Sequence, residues 1–256
     1  MLSKIKQIGF LGLLLFSTMV KAQANLEDLE KINQTYKTSS GYHFDLRYSL
    51  FKDYQTAVET EGFNMSVSAN NKDYYCKRSD NEVLLNEHYA LVVDHDNKVI
   101  LIENARKNER KKNQKMEWKE LDTLLQKMSE VLKKDIDKIA GEQEIEAIQN
   151  KMSESENQYV FNYSTGEYTR VVLSYHPSTF HIKKVTMYYR EKMQLKDGET
   201  RATPRIEITY VDTDLNPEFD KKLFSERKYV HVKKDGKLEL TAALQNYKVI
   251  NHLGKQ

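Results

Sequence analysis

Between Val211 and Leu223 an acid or amide stands at every second position: Asp212, Asp214, Asn216, Glu218 and Asp220. An EF-hand gathers a hard cation with alternate oxygen ligands in a tight loop, so the spacing raises a calcium site. Counting Asp212 as the first loop residue, the sixth is Pro217 where the sharp turn needs glycine, and the twelfth is Leu223 where a bidentate glutamate closes the shell. The flank also fails, because Ile206, Ile208 and Tyr210 alternate as in a strand where an EF-hand has a helix. The expectation is a strand leaving a sheet, a turn at Asn216-Pro217, and a short helical segment returning Phe219, Leu223 and Phe224 to a core.

Other chemistry is sparse. The chain has no G-x-S-x-G elbow, no H-E-x-x-H, no P-loop, no G-x-G-x-x-G and no C-x-x-C pair. His176 and His181 come closest to a histidine pair, but Pro177 and the strand that follows keep them off one helical face. Cys76, the single cysteine, sits in a strand pattern and reads as a small buried thiol. The stretch from Arg106 to Lys119 is rich in lysine and arginine; diluted by Glu109 and Glu117, it reads as a solvated connection with at most a transient membrane-surface contact. No catalytic residue, metal or cofactor is assigned, and the protein is read as not an enzyme.

The chain opens with Lys4 and Lys6, an apolar run from Ile8 to Val20 and small residues at Ala22 and Ala24. That is the pattern of a signal peptide over residues 1–22, with cleavage after Ala22 or Ala24 and export, most simply to the periplasm of a Gram-negative-type bacterium. Its loss removes Lys4, Lys6 and Lys21 and no acid, leaving 37 basic side chains against 38 acidic ones, a net charge of −1. A near-neutral protein lacks the basic excess that nucleic acid demands. One cysteine permits no internal disulfide, so residues 23–256 are expected to form a single domain held by its core.

The elements that would build this core follow from periodicity. Leu26, Leu29 and Ile32 recur at helical steps, which suggests a short helix ending near Ser39-Ser40-Gly41. Strands follow in YHFDLRYSL and FNMSVSA, where Phe44, Leu46 and Tyr48, then Phe63, Met65 and Val67, alternate with polar residues. Residues 72–103 break into four short strands whose central runs, Val83–Leu85, Leu91–Val93 and Val99–Ile102, are apolar on both faces, so each side needs a cover. Trp118, Leu121, Leu125, Met128, Leu132, Ile136 and Ile139 form one helical stripe that could supply it, and Ile145, Ile148 and Met152 suggest a second, shorter helix. More strands run from Gln158 onward, through Tyr159–Tyr163, Val171–Tyr175, Val185–Tyr189, Ile206–Tyr210, Tyr229–Val232 and Leu238–Leu240. The fold class is α+β: a strongly curved antiparallel sheet, or incomplete barrel, with amphipathic helices on its concave face.

The order of elements resembles the periplasmic outer-membrane lipoprotein carriers (LolA/LolB-like). The resemblance rests on LEDLEKINQTYK, HFDLRYSLF, the run YYCKRSDNEVLLNEHYALVVDHDNKVILIE, and above all IEITYVDTDLNPEFDKKLF. The family's proline- and arginine-bearing strand has no clear counterpart in KDYYCKRSDNEVLL, and sixteen tyrosines against nine phenylalanines make a more polar interior. The resemblance implies a monomeric half-barrel that binds a lipid, a lipoprotein acyl chain or another hydrophobic ligand. The cavity would be lined by Phe44, Leu46, Tyr48, Phe63, Met65, Val67, Trp118, Leu121, Leu125 and Met128. The alternative is a solidly packed interaction module of the envelope, acting through its surface.

Overall fold

The computed structural model describes residues 27–70, 72–105, 145–194, 201–233 and 237–253. Helix α1 (Glu27–Lys37) is followed by β1 (Gly41–Phe51), β2 (Glu59–Asn70), β3 (Tyr74–Arg78), β4 (Asn81–Leu85), β5 (Tyr89–Asp94) and β6 (Val99–Asn104). After residues 106–144 come β7 (Ile145–Ser153), β8 (Glu156–Tyr163), β9 (Tyr168–Tyr175) and β10 (Ile182–Tyr189). The short β11 (Met193–Gln194) and β12 (Arg201–Ala202) lead to β13 (Arg205–Leu215), and β14 (Val230–Val232), β15 (Leu238–Leu240) and β16 (Lys248–Asn251) complete the described chain.

Twelve strands form one sheet in the order β16-β6-β5-β4-β3-β2-β1-β13-β10-β9-β8-β7. Every pairing is antiparallel except β16 on β6, which is parallel. The sheet is not closed, since β7 and β16 stand at its two ends. The strands expected at Tyr42–Leu50, Phe63–Ala69 and through residues 72–103 are all present, with turns where the polar clusters stood.

One half of the sheet is covered on one face and the other half on the opposite face. Leu29 and Ile32 of α1 pack with Tyr48, Ile208, Leu173, Tyr159, Phe161 and their neighbours on β1, β13, β10, β9, β8 and β7. At the other end, residues 219–253 lay Phe224, Tyr229, Val230 and Leu244 over Tyr75, Leu84, Leu91, Val93, Ile100 and Ile102, whose side chains point away from the α1 side. At roughly 1.5–3 kcal/mol per fully buried Leu, Ile or Val side chain, both covers contribute strongly.

Helix α1 suits its place. Glu27, Asp28 and Glu30 sit in its first turn and Lys37 in its last, matching the helix dipole. Asp28 Oδ2 accepts the Tyr175 hydroxyl at 2.7 Å and Gln149 Nε2 at 3.0 Å, which ties the helix start to β9 and β7.

Two expectations are corrected. Residues 145–153 are strand β7, not a second helix. Ala147 and Gln149 pair with Phe161 and Tyr159 of β8, so strand pairing overrides a three- and four-residue spacing that by itself suits a helix. Met152 is 58% exposed, which a core-facing helical stripe would not allow. The strand expected at Ile206–Tyr210 does not leave the sheet there: β13 runs to Leu215, and Asp212 and Asp214 sit opposite Asp45 and His43 on β1. Asn216 then turns the chain at φ 78 and accepts the Ser40 amide at 2.7 Å, as the Asn-Pro signal suggests. Phe224 is buried and Phe219 and Leu223 pack beside it, but through a turn, and the helical piece is a 3-10 turn at Glu226–Lys228.

The β5–β6 hairpin contains a residue under strain. Lys98 holds φ 52, a left-handed conformation that costs an L side chain about 1–2 kcal/mol, while its carbonyl accepts the Lys248 amide at 2.8 Å. Lys98→Gly keeps that carbonyl and is expected to raise the unfolding free energy by about 0.5–1 kcal/mol in urea denaturation.

Candidate functional site

The six apolar residues expected to line a ligand site on β1 and β2 share one face. Phe44 pairs with Val67, Leu46 with Met65 and Tyr48 with Phe63, and directly opposite residues of an antiparallel pair lie on the same side. Tyr48 and Phe63 stack at 4.7 Å between ring centroids. Phe44, Leu46, Met65, Val67 and Cys76 are buried together in the middle of the sheet, with Phe63, Val83 and Leu85 packed against them. The other four expected lining residues, Trp118, Leu121, Leu125 and Met128, lie outside the described residues.

The same face continues across β4, β5 and β6. Val83 stands opposite Val92, and Val92 opposite Leu101, all half-buried, with Leu85 and Val99 on the same side. These strands are therefore apolar on both faces. Residues 219–253 bury the other side, while this one keeps partial exposure.

Four aromatic rings mark the join between α1 and this face. Tyr42 stacks on Phe44 at 4.8 Å, Tyr210 meets Phe44 edge-on at 5.5 Å, and Tyr36 of α1 lies 6.2 Å away. The Tyr36 hydroxyl accepts the Ile182 amide at 2.9 Å. Burial pushes Tyr42 and Tyr210 up to about 12, and Tyr36 higher still, so all three remain protonated.

Groups with catalytic potential are placed differently. Cys76 is fully buried and burial pushes its thiol up to about 12, the opposite of an activated nucleophile. His43 Nδ1 lies 2.9 Å from Ser68 Oγ, and its Nε2 lies 3.7 Å from Asp45 Oδ1, on the face opposite the apolar one. Ser68 is only 2% exposed and the carboxylate distance exceeds hydrogen-bond range, so the three do not present an accessible nucleophile. His176 and His181 close a tight turn, in which the His176 amide donates to the His181 carbonyl at 2.8 Å. Among the described residues no group of three or more His, Cys, Asp or Glu side chains could hold a metal ion. Along an extended strand, Asp212 and Asp214 stand about 6.5–7 Å apart instead of converging.

Two features were not foreseen. An open cleft of about 400 Å³ lies between the Asn70–Asp73 turn and residues 219–226, lined by Phe219, Asp220, Lys221 and Glu226 among others, and shares no residue with the expected lining. Glu82 of β4 is buried beneath the C-terminal cover: Oε2 accepts the hydroxyls of Tyr75 (2.6 Å) and Tyr229, and Oε1 meets His95 Nε2 at 3.0 Å. Tyr247 contacts His95 Nδ1 at 2.9 Å, and the Lys228 ammonium lies 4.2 Å above the Tyr75 ring. The one visible signal was an acid at the start of an apolar run, NEVLL, where strand alternation points it inward.

No protein-family model matches the chain, and neither does any curated protein. Among solved structures it is similar to an uncharacterized conserved protein from Thermus thermophilus, at 7% identity over 82% of this chain and 94% of that one, TM-score 0.40. A LolA superfamily protein from Nitrosomonas europaea is 11% identical over 78% of this chain and 98% of that one, TM-score 0.31. A putative outer membrane lipoprotein-sorting protein domain from Vibrio parahaemolyticus is 12% identical over 79% and 97%, TM-score 0.31. At such identities and TM-scores none of the three transfers a residue role or an activity. The solved structures that this chain is similar to thus include members of the LolA-like group its sequence resembles, and the match is a loose one.

Proposed function

We propose that this is an exported envelope protein that binds a lipid, a lipoprotein acyl chain or a similar hydrophobic group on the α1 face of its sheet, without catalysis. The observation that carries the reading is the two-sided apolarity of β4–β6. One side is buried by residues 219–253, while Val83, Leu85, Val92, Val99 and Leu101 on the other remain half-exposed beside the Phe44–Met65–Val67 cluster. At ~0.8 kcal/mol per buried CH₂, a sixteen-carbon chain gains about 12 kcal/mol before the costs of association.

Trp118, Leu121, Leu125 and Met128, the rest of the expected lining, lie outside the described residues. Export is supported by the apolar run from Ile8 to Val20 behind Lys4 and Lys6.

The burial of Phe44, Leu46, Met65 and Val67 favours a second reading, a solidly packed interaction module. Native mass spectrometry and lipid extraction on protein purified from its own envelope separate the two. Co-purifying acyl species at near one per chain are expected, and a protein that is empty and takes up no acyl chain when offered one sinks the carrier reading.

A further inference from the structure

A sheet edge presents a row of main-chain N–H and C=O groups, and natural edges are blunted by shortness, charge, proline or a bulge. The two ends of this sheet differ in that respect. β16 is four residues long and opens on Lys248. β7 is nine residues long, holds no proline, and pairs with β8 without irregularity from Ile145 to Lys151. Alternate residues of an antiparallel strand turn their main-chain groups to opposite sides, so half of those on β7 point away from β8. Among the described residues no strand receives them.

The side chains say what kind of strand fits. Ala147 packs into the α1 core and is fully buried. On the other face of the sheet, Ile148 stands opposite Val160, and Val160 opposite Val172, all three half-buried. This apolar stripe crosses β9, β8 and β7 and runs out at the edge. Glu146 and Asn150 border it on β7, both exposed. Glu146 Oε2 accepts Asn162 Nδ2 at 3.1 Å, which leaves Oε1 to meet another donor.

β7 is complementary to itself. A two-fold axis perpendicular to the sheet through Ile148 lays β7 of a second copy antiparallel to the first, and each residue then faces one from the same side of the sheet. In that register Ile148 meets Ile148 of the second copy, Ala147 meets Gln149, and Glu146 meets Asn150, whose amide can donate to the carboxylate. The stripe becomes continuous, with Val172, Val160 and Ile148 of one copy running into Ile148, Val160 and Val172 of the other. No charge faces its like between Glu146 and Asn150. Moving the axis to Gln149 sets Ile148 against Asn150 and breaks the stripe.

We propose that β7 is a dimerisation edge, through which two copies of this chain join their sheets antiparallel about Ile148. This goes beyond the acyl-binding reading and does not depend on it. The α1 sides of both copies fall on the same side of the joined sheet.

Sedimentation velocity over about 1–200 µM, with oxidative cross-linking, tests this. The wild type is expected to pass from monomer to dimer within that range. Ile148→Lys sets two ammonium groups against each other across the axis and is expected to weaken the dimer about tenfold or more. The position is half-exposed, and circular dichroism checks that the fold is kept. Ile148→Cys is expected to give a disulfide-linked dimer under mild oxidation, since directly opposite residues lie within disulfide reach. Asn150→Cys is not, because its two copies stand about 13 Å apart along the strands. The native Cys76 is fully buried and stays out of the reaction. A chain that remains monomeric at the highest concentration overturns the proposal, even if it takes up an extended peptide on β7. So does a dimer that Ile148→Lys leaves unchanged, or one that cross-links as Asn150→Cys and not as Ile148→Cys.

Discussion

Glu82→Leu is expected to lower the unfolding free energy by about 3–5 kcal/mol, enough to unfold a marginal domain. The carboxylate receives Tyr75 and Tyr229 on one oxygen and meets His95 on the other, and leucine would leave these donors buried without an acceptor. Glu82→Gln keeps one carbonyl oxygen and should cost about half as much. Urea denaturation followed by near-ultraviolet circular dichroism orders the three proteins, and equal midpoints would show that the hub adds nothing. The pH dependence has a definite sign. Burial alone would raise the Glu82 pKa, but hydrogen bonds from Tyr229, Tyr75 and His95, with the nearby Lys228 charge, hold it below the usual glutamate value. A depressed native value means the stabilisation is fully present above pH ~4.5 and is lost as pH falls through the folded pKa. The wild-type stability should drop across that acid window, and Glu82→Gln should flatten the drop.

Leu91→Ala and Val92→Ala, one residue apart, are expected to separate stability from function. Leu91 is fully buried under the C-terminal cover, so its truncation removes transfer energy and leaves a cavity, a loss of about 2–5 kcal/mol. Val92 points to the other, half-exposed face, where truncation should cost under ~1 kcal/mol yet weaken acyl-chain binding severalfold. Thermal unfolding and a lipid-binding titration on both variants check this. If Val92→Ala destabilised as much as Leu91→Ala, its face would be packed as tightly as the one beneath the cover.

Much of the sheet was legible because alternation is local. Phe44-Leu46-Tyr48 and Phe63-Met65-Val67 announce their strands and their shared face, and the two-sided apolar runs announced that both faces of β4–β6 need a partner. What was not legible depends on distant pairing. Ile145-Ile148-Met152 fits a helical step better than the period-2 alternation of a strand, and only its pairing with β8 overrides it. The strand at Ile206–Tyr210 was read as leaving the sheet because nothing local in the Asp212–Asp214 alternation shows β13 still paired to β1 there. The Glu82 hub joins positions 82 and 229, and the tyrosine cluster joins 36, 42 and 210, separations over which single-sequence periodicity carries no information.

The parallel strand β16 has a consequence for how the chain must be made. It pairs Lys248–Asn251 with Val99–Ile102, partners separated by some 150 positions, and it closes the β6 end of the sheet. While the chain is being made, Val99-Ile100-Leu101-Ile102 stands as an uncovered β-prone edge until Lys248–Asn251 have arrived. Nascent or C-terminally clipped molecules therefore carry an aggregation-competent edge that the finished protein lacks, and a chaperone that shields β6 during synthesis would have a defined moment to let go.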